Sequence, residues 1–195
     1  LTIMFIILVI PYNSYAKNED LLYGIEKYLN SIKHFQANFI QDNTEDGSLS
    51  EGVFYLSRPG KLRVEYTLPS ELLLITNNNL TTYYDVELDE ITTLKTSSTP
   101  IQFLVKDKFS FNEDLKIKDL IINKNGNIEL SIFEKGKEDK GTISLIFSKS
   151  PIVLVGMKVT NELSQVVEIY FTNIKEDIPL NKNLFIFKNP RIYNR

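Results

Sequence analysis

Side chains suited to covalent chemistry are scarce in this sequence. His34 is the only histidine, and there is no cysteine among the 195 residues. A hydrolytic triad needs a nucleophile, a base and a group that orients the base, and no G-x-S-x-G motif accompanies His34. We therefore expect His34 to be a surface residue at the junction of a helix and a strand. A hydrolase that uses it is the less favoured alternative.

The residues and motifs that metal and nucleotide sites need are scarce as well. One histidine, no cysteine and no calcium-loop spacing of acidic residues argue against a bound metal. Glu87, Asp89 and Glu90 form an acidic turn, which is typical of a solvated loop tip. Neither a phosphate-binding loop nor a dinucleotide fingerprint occurs. We expect no enzyme activity, no cofactor and no metal, with paired carboxylates as the one catalytic arrangement left open.

Charge gives no sign of a nucleic-acid partner. The 22 Lys and Arg residues are scattered, and 25 acidic residues give a formal net charge of −3. Nucleic-acid-binding domains instead show a basic stripe or patch. We therefore exclude DNA and RNA as expected partners.

The first sixteen residues have the pattern of a signal peptide. Residues 1–10 are almost wholly apolar, Pro11 ends the run, and small side chains stand at Ser14 and Ala16. The run is shorter than the ~20 residues that a membrane-spanning helix needs. We expect export to the periplasm with cleavage near Ala16, and residues 17–195 as one freely diffusing, monomeric domain. A buried N-terminal strand or helix is the alternative.

Hydrophobic periodicity predicts one helix followed by strands. Apolar residues recur at helical spacing over 19–33, and Thr99-Pro100 predicts a second, short helix over 101–106, with Thr99 as N-cap. Asn at 77–79 and Asn125-Gly126 predict turns. Alternating patterns and apolar runs predict about eleven strands and, after them, a last short one at 185–188; the earlier strands are 35–39, 53–57, 61–66, 71–76, 83–84, 91–94, 115–123, 128–134, 142–148, 153–160 and 166–173.

Evenly spaced strands of this kind favour an antiparallel sheet that curls under its own twist. Two helices are available to cover the mouth of such a sheet. The strand at 61–66 has a wet face and an apolar face, with Leu62, Val64 and Tyr66 on the latter. The 10 Tyr and 12 Phe residues must crowd the apolar faces. Whether they fill a core or surround a cavity stays open at this point.

The segment 52–66 reads GVFYLSRPGKLRVEY and is followed by Pro69. It resembles the signature of the LolA family, the periplasmic lipoprotein carriers. That signature is a glycine, a short strand, Arg-Pro-Gly, alternating basic and apolar residues that end near a tyrosine, and then a proline. Weaker likenesses follow in family order and extend the resemblance over nearly the whole mature chain; they lie at 35–41, 82–85, 99–104 and 184–190. Two departures are Val64 and Thr82, where many members have Trp, and a third is the hairpin at 161–165.

The resemblance implies a fold and a function. The fold is mainly β: an unclosed antiparallel β-barrel of about eleven strands, with helices forming a lid over the mouth. The function is to accept lipoproteins from an inner-membrane ABC-type release complex, shield their acyl chains in a hydrophobic cavity, and deliver them to an outer-membrane receptor. The alternative is a periplasmic sensing or regulatory module of the same fold that binds lipids or mislocalised lipoproteins.

The resemblance also assigns site residues. In the family, the arginine matching Arg58 closes the lid through hydrogen bonds to backbone carbonyls, a task that suits the five donors of a guanidinium. An exposed turn residue is the alternative for Arg58. The expected contacts of the acyl chains are Leu62, Val64, Tyr66, Leu74, Tyr83, Phe103 and Leu104. For those on strand 61–66, ordinary core packing is the alternative.

Overall fold

The computed structural model describes residues 13–44, 46–111, 115–136, 141–161 and 163–189. Most of the predicted signal peptide, residues 1–12, lies outside this part of the chain, so that prediction stays untested. Within the described residues, no helix is both long and apolar enough to cross a bilayer.

The described strands form one antiparallel sheet of eleven. Their bounds are β1 His34–Asn43, β2 Leu49–Ser57, β3 Lys61–Leu68, β4 Leu72–Asn77, β5 Leu80–Asp85, β6 Glu90–Lys95, β7 Leu115–Ile122, β8 Ile128–Glu134, β9 Thr142–Lys149, β10 Ile152–Thr160 and β11 Val166–Glu176. The order across the sheet is β6-β5-β4-β3-β2-β1-β11-β10-β9-β8-β7. The predicted unclosed barrel is confirmed.

This strand order explains where the chain crosses the barrel. The first and last strands pair at the centre, with Phe39 opposite Phe171. From this pair, two runs of hairpin-connected strands extend outward to the two edges, β6 and β7. The connection from β6 to β7 must therefore pass from one edge to the other, and it carries the segment that covers the concave face.

Helix α1 spans Asn13–Ser31 and packs on the sheet. Ile25 and Leu29 in its C-terminal half, and Ile32 just beyond its end, are buried in the core. The helix begins six residues before the predicted start at residue 19; residues 13–18 contain no proline or glycine, and Ala16 and Lys17 are good helix formers. The predicted cleavage position at Ala16 lies within it.

The predicted second, short helix is present, with Thr99 at the N-cap position, but it is a 3₁₀ turn and ends at Phe103 instead of residue 106. Two 3₁₀ turns, Thr96–Ser98 and Pro100–Phe103, lead into an irregular stretch; we call residues 96–111 the strap. Thr99 occupies the N-cap position, but its hydroxyl donates backwards to the carbonyl of Thr96 at 2.8 Å. The backbone closes 3₁₀ rings here, with the amides of Gln102 and Leu104 bonded to the carbonyls of Thr99 and Ile101.

The predicted last strand at 185–188 is wrong. A 3₁₀ turn, Lys182–Phe185, replaces its beginning. The segment lies against β3 and β4, where the carbonyl of Leu184 accepts from Arg63 Nη1 at 2.9 Å. The ring of Phe187 packs on Tyr84 with centroids 5.7 Å apart. Its alternating side chains therefore pack across existing strands instead of extending the ladder.

The predicted turns are confirmed by backbone geometry. Asn78 adopts φ 55° between β4 and β5, and Gly126 adopts φ 87° between β7 and β8. Ser164, in the hairpin that departs from the family pattern, also has a positive φ of 63°. The side-chain oxygen of Asn161 accepts from the backbone of Leu163 and Gln165 and supports this turn.

Candidate functional site

An apolar cavity of about 140 Å³ lies between the concave face of the sheet and the strap. Hydrophobic residues from both arms of the sheet and from the strap line it: Phe39, Phe54, Leu62, Val64, Tyr66, Leu74, Ile101, Leu104, Ile143, Met157, Val159 and Ile169. The structure thus brings together five of the seven residues predicted to contact acyl chains.

The other two predicted residues lie elsewhere. Tyr83 is partly buried and packs against the core outside this cavity, where burial raises the pKa of its hydroxyl. Phe103 is buried in the strap and lines a neighbouring groove. Both were placed on the correct elements, but neither contacts the cavity.

Several lining residues were missed by sequence reasoning. Ile143, Met157, Val159 and Ile169 come from β9–β11, far along the chain from the motif at 52–66. Their signal was available as period-two alternation on those strands. Pairing brings them together, with Met157 opposite Ile169, and that register is a long-range property.

The structure explains why the segment 52–66 begins with a glycine, Gly52. It pairs with Phe39 across β1 and β2. A Cβ atom at this position would lie 2.7 Å from the Phe39 ring and 2.0 Å from the carbonyl oxygen of Glu65. Glycine therefore allows the backbones to approach and gives Phe39 room to line the cavity.

The cavity is small for a lipid. An engineered cavity of about 150 Å³ in another protein holds one benzene molecule, and pockets for larger ligands run to about 300–1,000 Å³. A space of about 140 Å³ has room for a few methylene groups only. The structure is therefore that of a closed lid over a nearly filled interior.

Arg58 joins both parts of the lid to the sheet. Its Nε donates to the carbonyl of Leu104 in the strap at 2.8 Å, and its Nη1 donates to the carbonyl of Leu29 in α1. The Leu29 carbonyl belongs to the last turn of α1, where carbonyls lack intrahelical partners and a cation is favoured. Arg58 is 7% exposed, which is incompatible with an exposed turn residue.

Burial changes the electrostatics of this arginine. Desolvation lowers its pKa to about 10, so the guanidinium remains charged at neutral pH. It lies over the Phe109 ring, 5.0 Å from the centroid, a favourable cation–π geometry. Two carbonyls and a ring, none with a formal charge, stabilise the cation here. Water would solvate it well once the lid opened, which offsets part of the cost of opening.

Comparison with known proteins identifies the family. A profile of the family described as "Outer membrane lipoprotein carrier protein LolA" matches residues 30–188, which include the Arg-Pro-Gly segment. The chain belongs to the LolA family. The resemblance found in the sequence is thereby confirmed.

Individual relatives of this LolA family member span most of its length. It is 28% identical to the outer-membrane lipoprotein carrier protein of Methylococcus capsulatus, covering 85% of this chain and 82% of the relative. It is 26% identical to the protein of the same name from Legionella pneumophila strain Corby, covering 96% and 95%. An uncharacterized protein of Rickettsia prowazekii is 26% identical and covers 93% of this chain and 83% of that one.

Solved structures share the fold at lower identity. MucB superposes with a TM-score of 0.51 at 13% identity, covering 90% of this chain and 64% of MucB. An uncharacterized conserved protein from Thermus thermophilus gives a TM-score of 0.50 at 12% identity, covering 87% and 92%. These likenesses establish the open-barrel architecture.

In this LolA family member the two parts of the lid are also bonded to each other. Asn30 on α1 donates to the Phe109 carbonyl at 3.0 Å and accepts from the Phe109 amide at 2.8 Å. Glu26 accepts from the amide of Phe111 at 3.2 Å. Lys33 pairs with Asp107 at 3.3 Å, although both side chains are exposed and such a pair contributes little. Helix α1 and the strap thus form one connected lid.

Asn30→Ala should loosen the strap without unfolding the sheet. The substitution removes two hydrogen bonds, each worth about 0.5–1.5 kcal/mol, between α1 and Phe109. We expect amide hydrogen exchange in 104–111 to accelerate about tenfold while the thermal midpoint changes little. Mass-spectrometric hydrogen exchange measures this, with exposed Asn38→Ala on β1 as the control. Equal exchange in both variants would show that Asn30 does not hold the strap.

The buried hydroxyl of Tyr66 should make the folded protein less stable at high pH. Burial, with a smaller effect of Tyr83, raises its pKa to about 12, above the ordinary value near 10 of the unfolded chain. The folded form therefore holds its proton longer, and the associated stability is complete below pH 10 and lost towards pH 12. Urea titrations between pH 9 and 11.5 should show a weaker decline for Tyr66→Phe than for the wild type. Identical declines would contradict this.

His34 lies at the helix-to-strand junction, as predicted, but it is half-buried instead of a plain surface residue. Its Nδ1 is buried and has no hydrogen-bond partner among the described residues. In the described part of the chain, no group of three or more His, Cys, Asp or Glu side chains is arranged to hold a metal ion.

Proposed function

We propose that this protein carries lipoproteins through the periplasm from the inner to the outer membrane, with their acyl chains held beneath the lid. The observation that supports this most strongly is the apolar cavity beneath the strap, with Arg58 bonded to both the strap and α1, in a member of the LolA family. Several relatives at 25–29% identity bear the name outer-membrane lipoprotein carrier protein. Export would follow cleavage near Ala16, leaving residues 17–195 as the carrier domain.

The energetics require a lid that opens. Burying a methylene is worth about 0.8 kcal/mol, so each acyl chain binds the membrane strongly. A carrier must offer comparable apolar surface, which this structure contains but keeps occupied by its own side chains. Opening the lid exposes that surface to the cargo. Its cost reduces the net affinity, so that the cargo can leave again.

In the proposed cycle, Arg58 is the lid latch. An inner-membrane ABC-type release complex supplies the lipoprotein, and its acyl chains displace Leu104 and Ile101 from the mouth. Closure then re-forms the bonds from Arg58 to Leu29 and Leu104 and helps to expel the cargo at an outer-membrane receptor. The protein acts as a monomer and needs no cofactor or catalytic group.

Extraction from membranes tests the function. Inner-membrane vesicles that contain the release complex and a triacylated lipoprotein are incubated with ATP and the purified chain 17–195. We expect the lipoprotein to appear in the soluble fraction as a one-to-one complex with the carrier. If the lipoprotein stays in the vesicles while an authentic carrier removes it from the same preparation, the proposed function is wrong.

A regulatory binding module is the second candidate. MucB shares the fold and has been solved in complex with MucA. The chain covers 61–64% of the MucB chains, so any such role rests on the common domain alone. A stable complex with a membrane-anchored anti-sigma-type protein, formed in preference to lipoprotein, would favour this alternative.

A further inference from the structure

A second opening adjoins the apolar cavity. It is a groove of about 560 Å³ between the strap and the ends of β8–β10. Its wall includes Ile143 and Val159, which also line the cavity. The cavity and the groove are therefore neighbours that share one side of the barrel.

The 3₁₀ turn Pro100–Phe103 separates these two spaces. In a 3₁₀ helix, side chains three residues apart lie one above the other. Accordingly Ile101 and Leu104 both face the cavity, whereas Gln102 and Phe103 face the groove. This turn, which we call the partition, therefore divides the cavity from a solvent-accessible groove.

The lining of the groove is amphipathic, unlike that of the cavity. Apolar side chains form part of it, with Phe103, Ile132 and Phe133 among them. Hydroxyl and amide groups form the rest: Ser97, Ser98, Thr99, Gln102, Thr142, Thr160 and Asn161. Such a lining suits a neutral head that carries ester and amide groups, attached to hydrocarbon. Its charged lining residue, Glu134, accepts a hydrogen bond from Gln102 at 3.1 Å.

The bonds on either side of the partition indicate where it opens. Before the partition, the buried hydroxyl of Thr96 bonds to Thr81 at 3.1 Å. After it, the Val105 carbonyl accepts from the Gly60 amide at 2.8 Å. Between these anchors, two bonds hold the turn: Gln102 donates to Glu134, and the Leu104 carbonyl accepts from Arg58. Breaking both bonds allows the partition to move while both ends stay attached.

We propose that the groove is the port of the cargo site: acyl chains pass the partition into the cavity, and the groove holds the glyceryl esters and first peptide units of the acylated N-terminus. The proposal rests on the proposed carrier function and assigns a second, polar subsite to it. The combination of a cavity for tails and a groove for a neutral head matches a lipid-modified peptide.

Site-specific cross-linking tests the position of the head. A benzoylphenylalanine is placed at Ser98, an exposed groove residue, or at Thr92, an exposed control on β6 outside both linings. The probe is a synthetic triacylated cysteinyl-seryl peptide, mixed with the purified protein and irradiated. We expect at least about fivefold more cross-linking of the cysteinyl-seryl part from position 98 than from position 92, as counted by mass spectrometry.

A groove-filling substitution gives a second readout. Thr160→Trp occupies the groove without adding atoms to the cavity lining, and it should weaken binding of the acylated peptide about tenfold with the thermal midpoint unchanged. Thr92→Trp should bind like the wild type. Two results would overturn the port while leaving the carrier function intact. In the first, the probe binds but its head cross-links equally to positions 92 and 98; in the second, Thr160→Trp binds the probe as well as the wild type does. Absence of any probe binding to the wild type overturns both.

Discussion

Replacing Arg58 with leucine should leave the protein folded but reduce delivery of cargo at least tenfold. The guanidinium bonds Leu29 in α1 and Leu104 in the strap. Hydrogen bonds to charged groups are worth about 1.5–3 kcal/mol each, and desolvation of the buried cation offsets part of this sum. A net loss of only about 1.4 kcal/mol from the closed state shifts the lid equilibrium tenfold. The lid of the cargo-free protein then stays open, so closure of the lid no longer drives release of the lipoprotein.

Transfer between defined membranes measures this effect. Lipoprotein loaded onto the wild type or onto Arg58→Leu is offered to the outer-membrane receptor, and the fraction transferred is followed over time. Arg63→Leu is the matched control, because Arg63 lies on β3 but bonds Glu65 and Leu184 outside the lid. Normal transfer by Arg58→Leu would remove the latch role. A collapse of its thermal midpoint would make Arg58 a structural residue instead.

Locking the partition should abolish loading. The chain has no cysteine, so Gln102→Cys with Glu134→Cys offers one defined pair at side chains that are hydrogen-bonded in the closed form. Bridged by a short, reducible dithiol-reactive linker, the strap cannot leave the mouth, and uptake of acylated peptide should fall by about two orders of magnitude. Reduction of the linker should restore uptake in the same sample. This reversal excludes damage by the substitutions.

The control for the lock is a bridge within the sheet. Thr82 and Thr93 pair across β5 and β6, with their hydroxyls 3.2 Å apart on an exposed face. Bridging cysteines at these two positions should leave loading unchanged. If the locked lid loads as fast as the open one, acyl chains do not pass the partition, and the cavity beneath it is only core.

The sequence predicted those features that depend on short-range chemistry. Period-two alternation located the strands, and Asn78 and Gly126 took the positive φ values that their turns require. The Arg-Pro-Gly block pointed to Arg58, and the structure shows its bonds to the carbonyls of Leu29 and Leu104. The extent and type of the strap helix were missed, because the Thr99-Pro100 signal marks where a helix begins but does not distinguish an α-helix from a 3₁₀ turn.

The sequence could not show which inward-facing residues line the cavity and which pack in the core. Alternation places Leu62 on an apolar face and the family resemblance adds Tyr83, but neither shows which of the two residues meets a cavity. That distinction depends on the register that brings β9–β11 beside β1 and on the path of the strap. Phe103 shows the same limit, because a 3₁₀ turn directs it into the groove where an α-helix would have given it a different neighbour.

The most direct test of the central claim is the position of the lid with and without cargo. Spin labels at Lys108→Cys on the strap and Asn38→Cys on the outer face of β1, both exposed, report the distance between lid and sheet by pulsed electron resonance. Adding the triacylated cysteinyl-seryl peptide should shift the distribution to longer distances, whereas the peptide without acyl chains should leave it unchanged. Bound acylated peptide with an unaltered distribution would contradict carriage beneath the lid.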